Sequence, residues 1–226
     1  MSPRVEWLSV AGDPGVWRSL GFVVADDGLL PLPGTSLRIV APARTGPGTG
    51  PGNDPGNVDA GIVGWVLSGV ADAPAAAPAD AVSDIDGLAT AVIDPASPMF
   101  GDHPIGALGL DHVVVMTPDL ERTSAAIASA TGCELKRIRE VGTMRQGFHR
   151  IGPGGLIVEL VERPEVPDGP ASFWGLVVNV EDLDAACALI GAERVSAPKD
   201  AVQPGRRIAT VRNEVGLRLP VALMTP

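Results

Sequence analysis

Glu159 is the residue whose surroundings most directly suggest chemistry. It lies within the apolar run LIVELVE, residues 156–162, so a strand there would place a carboxylate among aliphatic side chains. Burying an uncompensated charge is costly, and we therefore expect a cation, a metal ion or a hydrogen-bond donor beside it. A carboxylate held in such a place can also take a proton from a bound molecule. Glu159 is thus a candidate general base.

Two histidines lie in neighbouring strand-like runs. His112 belongs to LDHVVV, and His149 belongs to GFHRI. Alternate side chains of a strand point to opposite faces, so Arg145 and His149 share one face of strand 143–151 and Gln146 lies on the other. The alternation does not say which face meets a ligand. His112, His149 and Arg145 are candidate binding residues, and a histidine bonded to a neighbour in the core is the alternative for both rings.

These candidates lie in a stretch with a legible order of elements, residues 109–163. LDHVVVMT is rich in β-branched residues and ends before Pro118, which predicts a strand. Asp119 is a typical helix N-cap and Gly132 a typical end of a helix, so the interval predicts a helix. ELKRIREV, MRQGFHRI and LIVELVE follow, separated by Gly142 and by a Gly-Pro-Gly-Gly turn. The predicted order is β-α-β-β-β.

The same order returns at residues 173–225. FWGLVVNV predicts a strand, Glu181-Asp182 opens a helix that Gly191 ends, and three more strand candidates follow. Superposing LDHVVVMTPDL on WGLVVNVEDL brings the two helix starts into register. This is an internal repeat.

The N-terminal part of the chain contains shortened versions of this unit. RVEWLSV and FVVADDG flank a short helix that begins after Asp13, and GIVGWVLSGV is a further strand. Residues 44–59 are nearly all Gly, Pro, Asn, Asp and Thr and predict a surface loop. We predict an N-terminal half (1–98), a linker (99–108) and a C-terminal half (109–226) built from units 109–165 and 172–226.

Charge and composition narrow the class of partner. The chain has 226 residues and a net charge of −10 without a basic cluster, which argues against nucleic acid or an anionic membrane as a partner. No apolar run approaches the roughly 20 residues of a membrane span. The first residues, MSPRVEWLSV, lack the apolar core of a signal peptide, which predicts a cytoplasmic protein. A small-molecule ligand, and a monomer or homodimer, are the expectations.

The tandem units, the first strand LDHVVV and the fourth strand GGLIVELVE together resemble the vicinal oxygen chelate superfamily. That group includes the glyoxalases, the bleomycin-resistance proteins and the extradiol dioxygenases. The resemblance implies an α+β fold in which paired β-α-β-β-β units form curved mixed sheets around a cavity. It covers residues 109–225 well and reaches the N-terminal half only as degraded units.

The resemblance also implies where a metal ion would bind. The family carries metal ligands on the first and fourth strands of its units, which correspond here to His112 and Glu159 and suit one divalent ion. In the aligned second unit, Gly175 and Pro220 occupy these two places. Neither residue offers a side-chain donor, so the implied metal site is incomplete.

A third ligand would be needed for metal-dependent catalysis. His149 is one candidate, and Glu6, which occupies the His112 position in the first unit, is another. We therefore predict a small-molecule-binding glyoxalase-like protein with an incomplete metal site. The alternatives are a metal-dependent lyase, isomerase or dioxygenase, and a non-catalytic interaction module.

Two further kinds of side chain are candidates for ligand contacts. Trp174 lies near the start of the repeated first strand, where core packing is the alternative to lining a cavity. Arg206, Arg207 and Arg212 lie on GRRIATVRN, where the solvated face of an edge strand is the default. An arginine turned inward would hold an anionic group through two hydrogen bonds.

Overall fold

Two mixed β-sheets form the frame of the molecule. The computed structural model describes residues 2–42, 60–70 and 83–226, so the loop predicted at 44–59 lies outside the described residues. Sheet A has six strands in the order β2-β3-β1-β4-β6-β5. Its elements are β1 (Arg4–Ala11), α1 (Pro14–Ser19), β2 (Leu29–Leu30), β3 (Ser36–Val40), β4 (Gly61–Ser68), β5 (Ser83–Ile85) and β6 (Leu88–Val92).

Sheet B contains the C-terminal elements. It has eight strands in the order β12-β13-β14-β11-β7-β10-β9-β8. Its elements are β7 (Ala107–Thr117), α2 (Leu120–Thr131), β8 (Arg137–Val141), β9 (Met144–Arg150), β10 (Ile157–Glu162), β11 (Ser172–Val180), α3 (Leu183–Ile190), β12 (Lys199–Asp200), β13 (Arg207–Thr210), a 3-10 turn (Asn213–Val215) and β14 (Val221–Met224).

The pairing of strands in sheet B follows the internal repeat. The first strands of the two units, β7 and β11, lie side by side and antiparallel at the centre of the sheet. Each carries the fourth strand of its own unit as a parallel neighbour, β10 beside β7 and β14 beside β11. The predicted α+β fold of paired β-α-β-β-β units is confirmed.

Sheet A repeats the same plan in a reduced form. β1 and β4 are antiparallel at its centre, β3 runs parallel to β1, and β6 runs parallel to β4. The reduction lies in the outer strands and in the helix, since β2 has two residues and α1 has six.

Local signals explain where the long helices begin and end. The Asp119 carboxylate accepts a hydrogen bond from the Arg122 amide at 2.9 Å, and Gly132 ends α2 in the left-handed conformation with φ 68°. Asp182 caps α3 in the same way, through the Ala185 amide at 3.0 Å. The predicted helix starts are therefore confirmed by their hydrogen bonds.

Both sheets share one hydrophobic core. Trp65 of β4 meets Phe173 of β11 edge to face, with ring centroids 5.5 Å apart. Asp86, in the turn between β5 and β6, accepts a hydrogen bond from Arg122 of α2 at 2.8 Å. Sheet A therefore packs directly on elements of sheet B. In the part of the chain that the structure describes, no helix has the length and apolarity to cross a membrane.

Candidate functional site

A β-bulge in β7 builds the centre of the site. Opposite β11, Val177 pairs with His112 and Val178 pairs with Leu110, so Asp111 is an additional residue in the ladder. A bulge redirects a side chain that strict alternation would send to the other face. Asp111 and His112 consequently lie together, with Asp111 Oδ2 at 2.7 Å from His112 Nδ1.

His112 also faces the carboxylate of the fourth strand. Its Nε2 atom lies 3.4 Å from Glu159 Oε2. The other oxygen of Glu159 accepts a hydrogen bond from the side-chain amide of Gln146, on β9, at 2.5 Å. The structure therefore brings His112 and Glu159 together, as the family resemblance implied, and adds Gln146. We call the side of sheet B that carries these three residues the polar face.

Asp111 is the best-compensated charge of this group. Its Oδ1 atom accepts hydrogen bonds from Arg206 at 2.9 Å and from Asn179 at 3.1 Å. Burial opposes ionisation of Asp111, but the hydrogen bonds from His112 and Arg206 outweigh it and hold the pKa of its carboxyl well below the usual range. With Asp111 ionised, His112 Nδ1 carries a hydrogen, and Nε2 is the ring atom that faces Glu159.

Arg206 is held in place as firmly as the carboxylate that it binds. Its Nε atom donates to the Thr225 carbonyl at 2.7 Å, and Nη2 donates to the Asn179 side-chain oxygen at 2.6 Å. The side chains of Asp111, His112 and Glu159 are between 11% and 13% exposed. They are thus sheltered from bulk solvent and still accessible to a bound molecule.

His149 lies on the opposite face of sheet B. Its Nδ1 atom donates to the Cys133 carbonyl at 2.9 Å, and its Nε2 atom lies 3.0 Å from Ser124 Oγ on α2. The side chain is buried, and this burial lowers the pKa of the ring. The structure does not bring His149 to His112 and Glu159. It belongs to the packing between β9 and α2.

Arg145 shares that helix-facing side. Its guanidinium forms ion pairs with Glu121 of α2 at 2.5 Å and with Glu162 of β10 at 3.1 Å. Gln146 and Phe148 lie on the other side of β9, and this side is part of the polar face of sheet B.

The two remaining candidates lie elsewhere. Trp174 is 45% exposed and is the additional residue of a bulge in β11, between Phe173 and Gly175. Glu6 is buried in sheet A, where its carboxylate accepts a hydrogen bond from the Ser68 hydroxyl. Neither residue is part of the polar contacts around His112.

The residues present do not fit a complete metal site of the family type. A Cβ atom added at Gly175 would lie 2.6 Å from the Pro220 carbonyl oxygen, so the two positions that lack ligands are packed against each other. Within residues 2–42, 60–70 and 83–226, no group of three His, Cys, Asp or Glu side chains has a metal-binding arrangement. Two potential metal ligands, His112 Nε2 and the Glu159 carboxylate, face one another. The neighbouring carboxylate of Asp111 is already bound by the positive charge of Arg206.

Comparison with known proteins finds one family that resembles the C-terminal part of the chain. The sequence profile of the Glyoxalase/Bleomycin resistance protein/Dioxygenase superfamily matches residues 109–216. The C-terminal half of the chain is therefore similar to this superfamily. A search of curated protein sequences finds no match to the chain.

The chain is also similar to solved structures. A mutant form of 4-hydroxymandelate synthase from Streptomyces coelicolor is 17% identical, with a TM-score of 0.64 over 100% of this chain and 93% of that chain. Methylmalonyl-CoA epimerase from Mycobacterium tuberculosis is 17% identical, with a TM-score of 0.46 over 54% of this chain and 89% of that chain. At such identities the similarity to the synthase establishes the fold alone.

Sequence reasoning missed two members of the site. Alternation alone places Gln146 and His149 on opposite faces of β9. Once His149 is assigned to the face that packs on α2, Gln146 follows as a residue of the polar face. Asp111 carried no such signal, since a bulge depends on how β7 pairs with a strand about 70 residues later in the chain.

Proposed function

We propose that the protein binds a small organic molecule on the polar face of sheet B, with His112, Glu159 and Gln146 as the contacting residues. The observation that carries the proposal is the continuous contact from Asp111 through His112 and Glu159 to Gln146. These polar side chains lie on β7, β10 and β9, among strands whose buried residues are mostly aliphatic. Pockets that bind small molecules combine apolar walls with a few convergent polar groups in this manner.

The contact between His112 and Glu159 is the point at which a ligand would enter. At 3.4 Å it is longer than the usual 2.7–3.2 Å of a good hydrogen bond, whereas the Asp111 contact of His112 is 2.7 Å. Both His112 Nε2 and Glu159 Oε2 therefore retain hydrogen-bonding capacity. Since Nδ1 carries the hydrogen, Nε2 and the carboxylate oxygen are both acceptors, and an amino or amide NH2 group of a ligand would donate to both.

The same geometry supports a role for Glu159 as a proton acceptor. Gln146 holds one of its oxygens, and the other faces the space next to His112 Nε2. A carboxylate positioned in this way can take a proton from a bound molecule. Gln146 and Asp111 would act as positioning residues for Glu159 and His112.

A panel of small polar metabolites tests the proposal by thermal shift. Compounds that bind the polar face should raise the melting temperature of the wild type and lose this effect in Glu159→Gln, which removes the charge and replaces one carboxylate oxygen by an NH2 donor. Glu165→Gln is the matched control, because Glu165 is an exposed glutamate just beyond β10. If every stabilising compound acts equally on Glu159→Gln, the polar face is not the binding site.

The second candidate function is metal-dependent catalysis as a lyase, isomerase or dioxygenase. One observation favours it: Asp111 holds Nδ1 of His112, and metal-ligating histidines commonly donate their other ring nitrogen to a carboxylate. His112 and Glu159 would then hold one divalent ion, which would supply Lewis acidity to a bound substrate. A third donor would have to come from the ligand or from water.

Metal analysis separates the two candidates. Protein purified without a histidine tag should contain less than stoichiometric zinc, iron, manganese and nickel if the binding proposal is right. A stoichiometric metal in the wild type that is lost in both His112→Ala and Glu159→Ala would overturn it in favour of the metal-dependent enzyme.

A further inference from the structure

A second candidate binding site lies between the two halves of the molecule. It is a cavity of about 490 Å³, within the usual range for small-molecule sites. The N-terminal half contributes residues 2–5 and 33–35 to its wall, and the C-terminal half contributes residues 150–157 with Leu110, Asp111 and Asn179. Neither half encloses this space alone.

Close backbone contacts hold the walls together. Gly152 has φ 80°, and a Cβ atom there would lie 2.1 Å from the Pro3 carbonyl oxygen. Gly109 also approaches the other N-terminal segment, since its Cβ would lie 2.9 Å from the Pro33 carbonyl oxygen. Only glycine, which has no Cβ atom, can occupy positions where the backbones approach this closely. They fix the N-terminal segments against sheet B, so the cavity is formed before any ligand binds.

The charged residues of the wall favour an anion. Arg4 comes from one half and Arg150 from the other, whereas the chain as a whole carries a net charge of −10. In the described part of the chain, neither guanidinium forms an ion pair with a carboxylate. Arg150 donates one hydrogen bond to the Gly155 carbonyl at 3.2 Å, which leaves its other donors for a ligand.

Asp111 is the acidic residue of the wall, and its charge is already compensated. Arg206, Asn179 and His112 all contact its two oxygens within 3.1 Å. It therefore repels an anion in the cavity much less than an uncompensated carboxylate would. Leu110, Leu156 and Ile157 add apolar surface between the polar groups.

We propose that this cavity binds a small organic anion, a carboxylate or a phosphate ester, with its charge held by Arg4 and Arg150 and its apolar body against Leu110, Leu156 and Ile157. Guanidinium groups bind both anions through paired hydrogen bonds. The site lies beside the polar face, since Asp111 lines the cavity and also contacts His112. In the described residues, neither Arg4 nor Arg150 forms a hydrogen bond or ion pair with His112 or Glu159. The inference goes beyond the proposed function and gives the N-terminal half a role in binding.

Three probes of similar size test the charge requirement by titration calorimetry of the full chain. Benzoate and phenyl phosphate carry the two anionic groups, and benzamide is the neutral control. We expect at least one anion to bind about tenfold more tightly than benzamide, as expected for one charge-assisted contact. Whichever of the two anions binds more tightly identifies carboxylate or phosphate as the recognised group. Equal binding of all three probes, or no binding of either anion, would overturn the proposal.

Variants of the two arginines locate the binding. Arg4→Gln and Arg150→Gln should each weaken binding of the preferred anion by about tenfold, because each removes one charged donor. Arg139→Gln is the matched control, an exposed arginine on β8 away from the cavity, and it should bind as the wild type does. Wild-type affinity in a folded double variant would rule out the cavity as the site.

A measurement on the wild type covers the case in which these variants do not fold. Raising NaCl from about 50 mM to about 500 mM should weaken anion binding severalfold and leave benzamide unaffected, because salt screens the guanidinium charges. Anion affinity that is independent of salt would contradict the proposal.

Discussion

At the scale of single residues, Asp111 organises the polar contacts of sheet B. Its two oxygens join His112 on one side to Arg206 and Asn179 on the other. All four groups are at least partly buried, so each depends on the others for its hydrogen bonds. The loss of one charge in such a group leaves the opposite charge uncompensated.

Asp111→Asn should therefore lower the free energy of unfolding by about 2 kcal/mol, since Arg206 would be left partly buried without a carboxylate. Chemical denaturation measures the change. Asp184→Asn is the control: Asp184 is bound by Arg207 on an exposed surface, and its loss should cost much less. Equal losses in the two variants would show that the Asp111 contacts are no stronger than a surface ion pair.

His149 predicts a pH dependence of stability. Burial lowers the folded-state pKa of this ring below its ordinary value of 6.5, so below pH 6.5 the unfolded chain takes up a proton that the folded chain resists. The contribution of His149 is therefore complete above pH 6.5 and is lost as the pH falls towards the folded-state pKa.

The wild type should lose more stability than His149→Gln when the pH is lowered from about 7.5 to about 5.5. Urea denaturation at both values measures the difference. The Asp111 carboxylate does not contribute in this window, because its folded-state pKa and its ordinary value of 3.8 both lie below it. An unchanged pH dependence in the variant would mean that the ring titrates as freely in the folded chain as in the unfolded one.

At the scale of elements, the sequence predicted what local signals encode. Asp119 and Gly132 mark the ends of α2, and the turn at residues 152–155 separates β9 from β10, because caps and tight turns depend on neighbouring residues alone. The bulge at Asp111 depends on a partner strand far along the chain, and no local pattern marks it. The sequence therefore predicted that His112 and Glu159 belong to the polar face, but it did not predict Asp111.

The close approach of β11 and the start of β14 predicts the effect of a small substitution. Gly175→Ala should lower the free energy of unfolding by about 1–3 kcal/mol, because its Cβ would lie 2.6 Å from the Pro220 carbonyl oxygen and the strands would have to shift. Gly12→Ala is the matched control, since a Cβ there meets nothing within 4 Å. Denaturation curves compare them, and equal stability of the two variants would contradict the steric explanation.

At the scale of the whole molecule, sheet A and sheet B share one core. The family resemblance predicted the plan of both sheets, but it could not predict how they pack, because Trp65 and Phe173 are distant in sequence and each reads simply as an apolar residue. The division into halves at residues 99–108 stays a prediction, as does the cytoplasmic location.

The shared core predicts that the two halves unfold together. Calorimetry should give one transition, whose enthalpy equals the van't Hoff value, because Trp65 packs on Phe173 and Asp86 binds Arg122 across the two sheets. Phe173→Ala should lower the temperature of this single transition. Two separate transitions in the wild type, with the variant affecting only the later half of the chain, would show that the halves are independent.

The bulge in β7 also sets the phase of the strand. Because Asp111 has no partner in the ladder, Gly109 and Leu110 present the sides opposite to those that uninterrupted alternation from His112 would give them. Gly109 meets Pro33, and Leu110 lines the cavity between the halves, in this shifted phase. Deleting residue 111 would turn the side chains at positions 109 and 110 to the other face of the sheet. A single extra residue thus determines both the chemistry of the polar face and the surface on which the N-terminal half is seated.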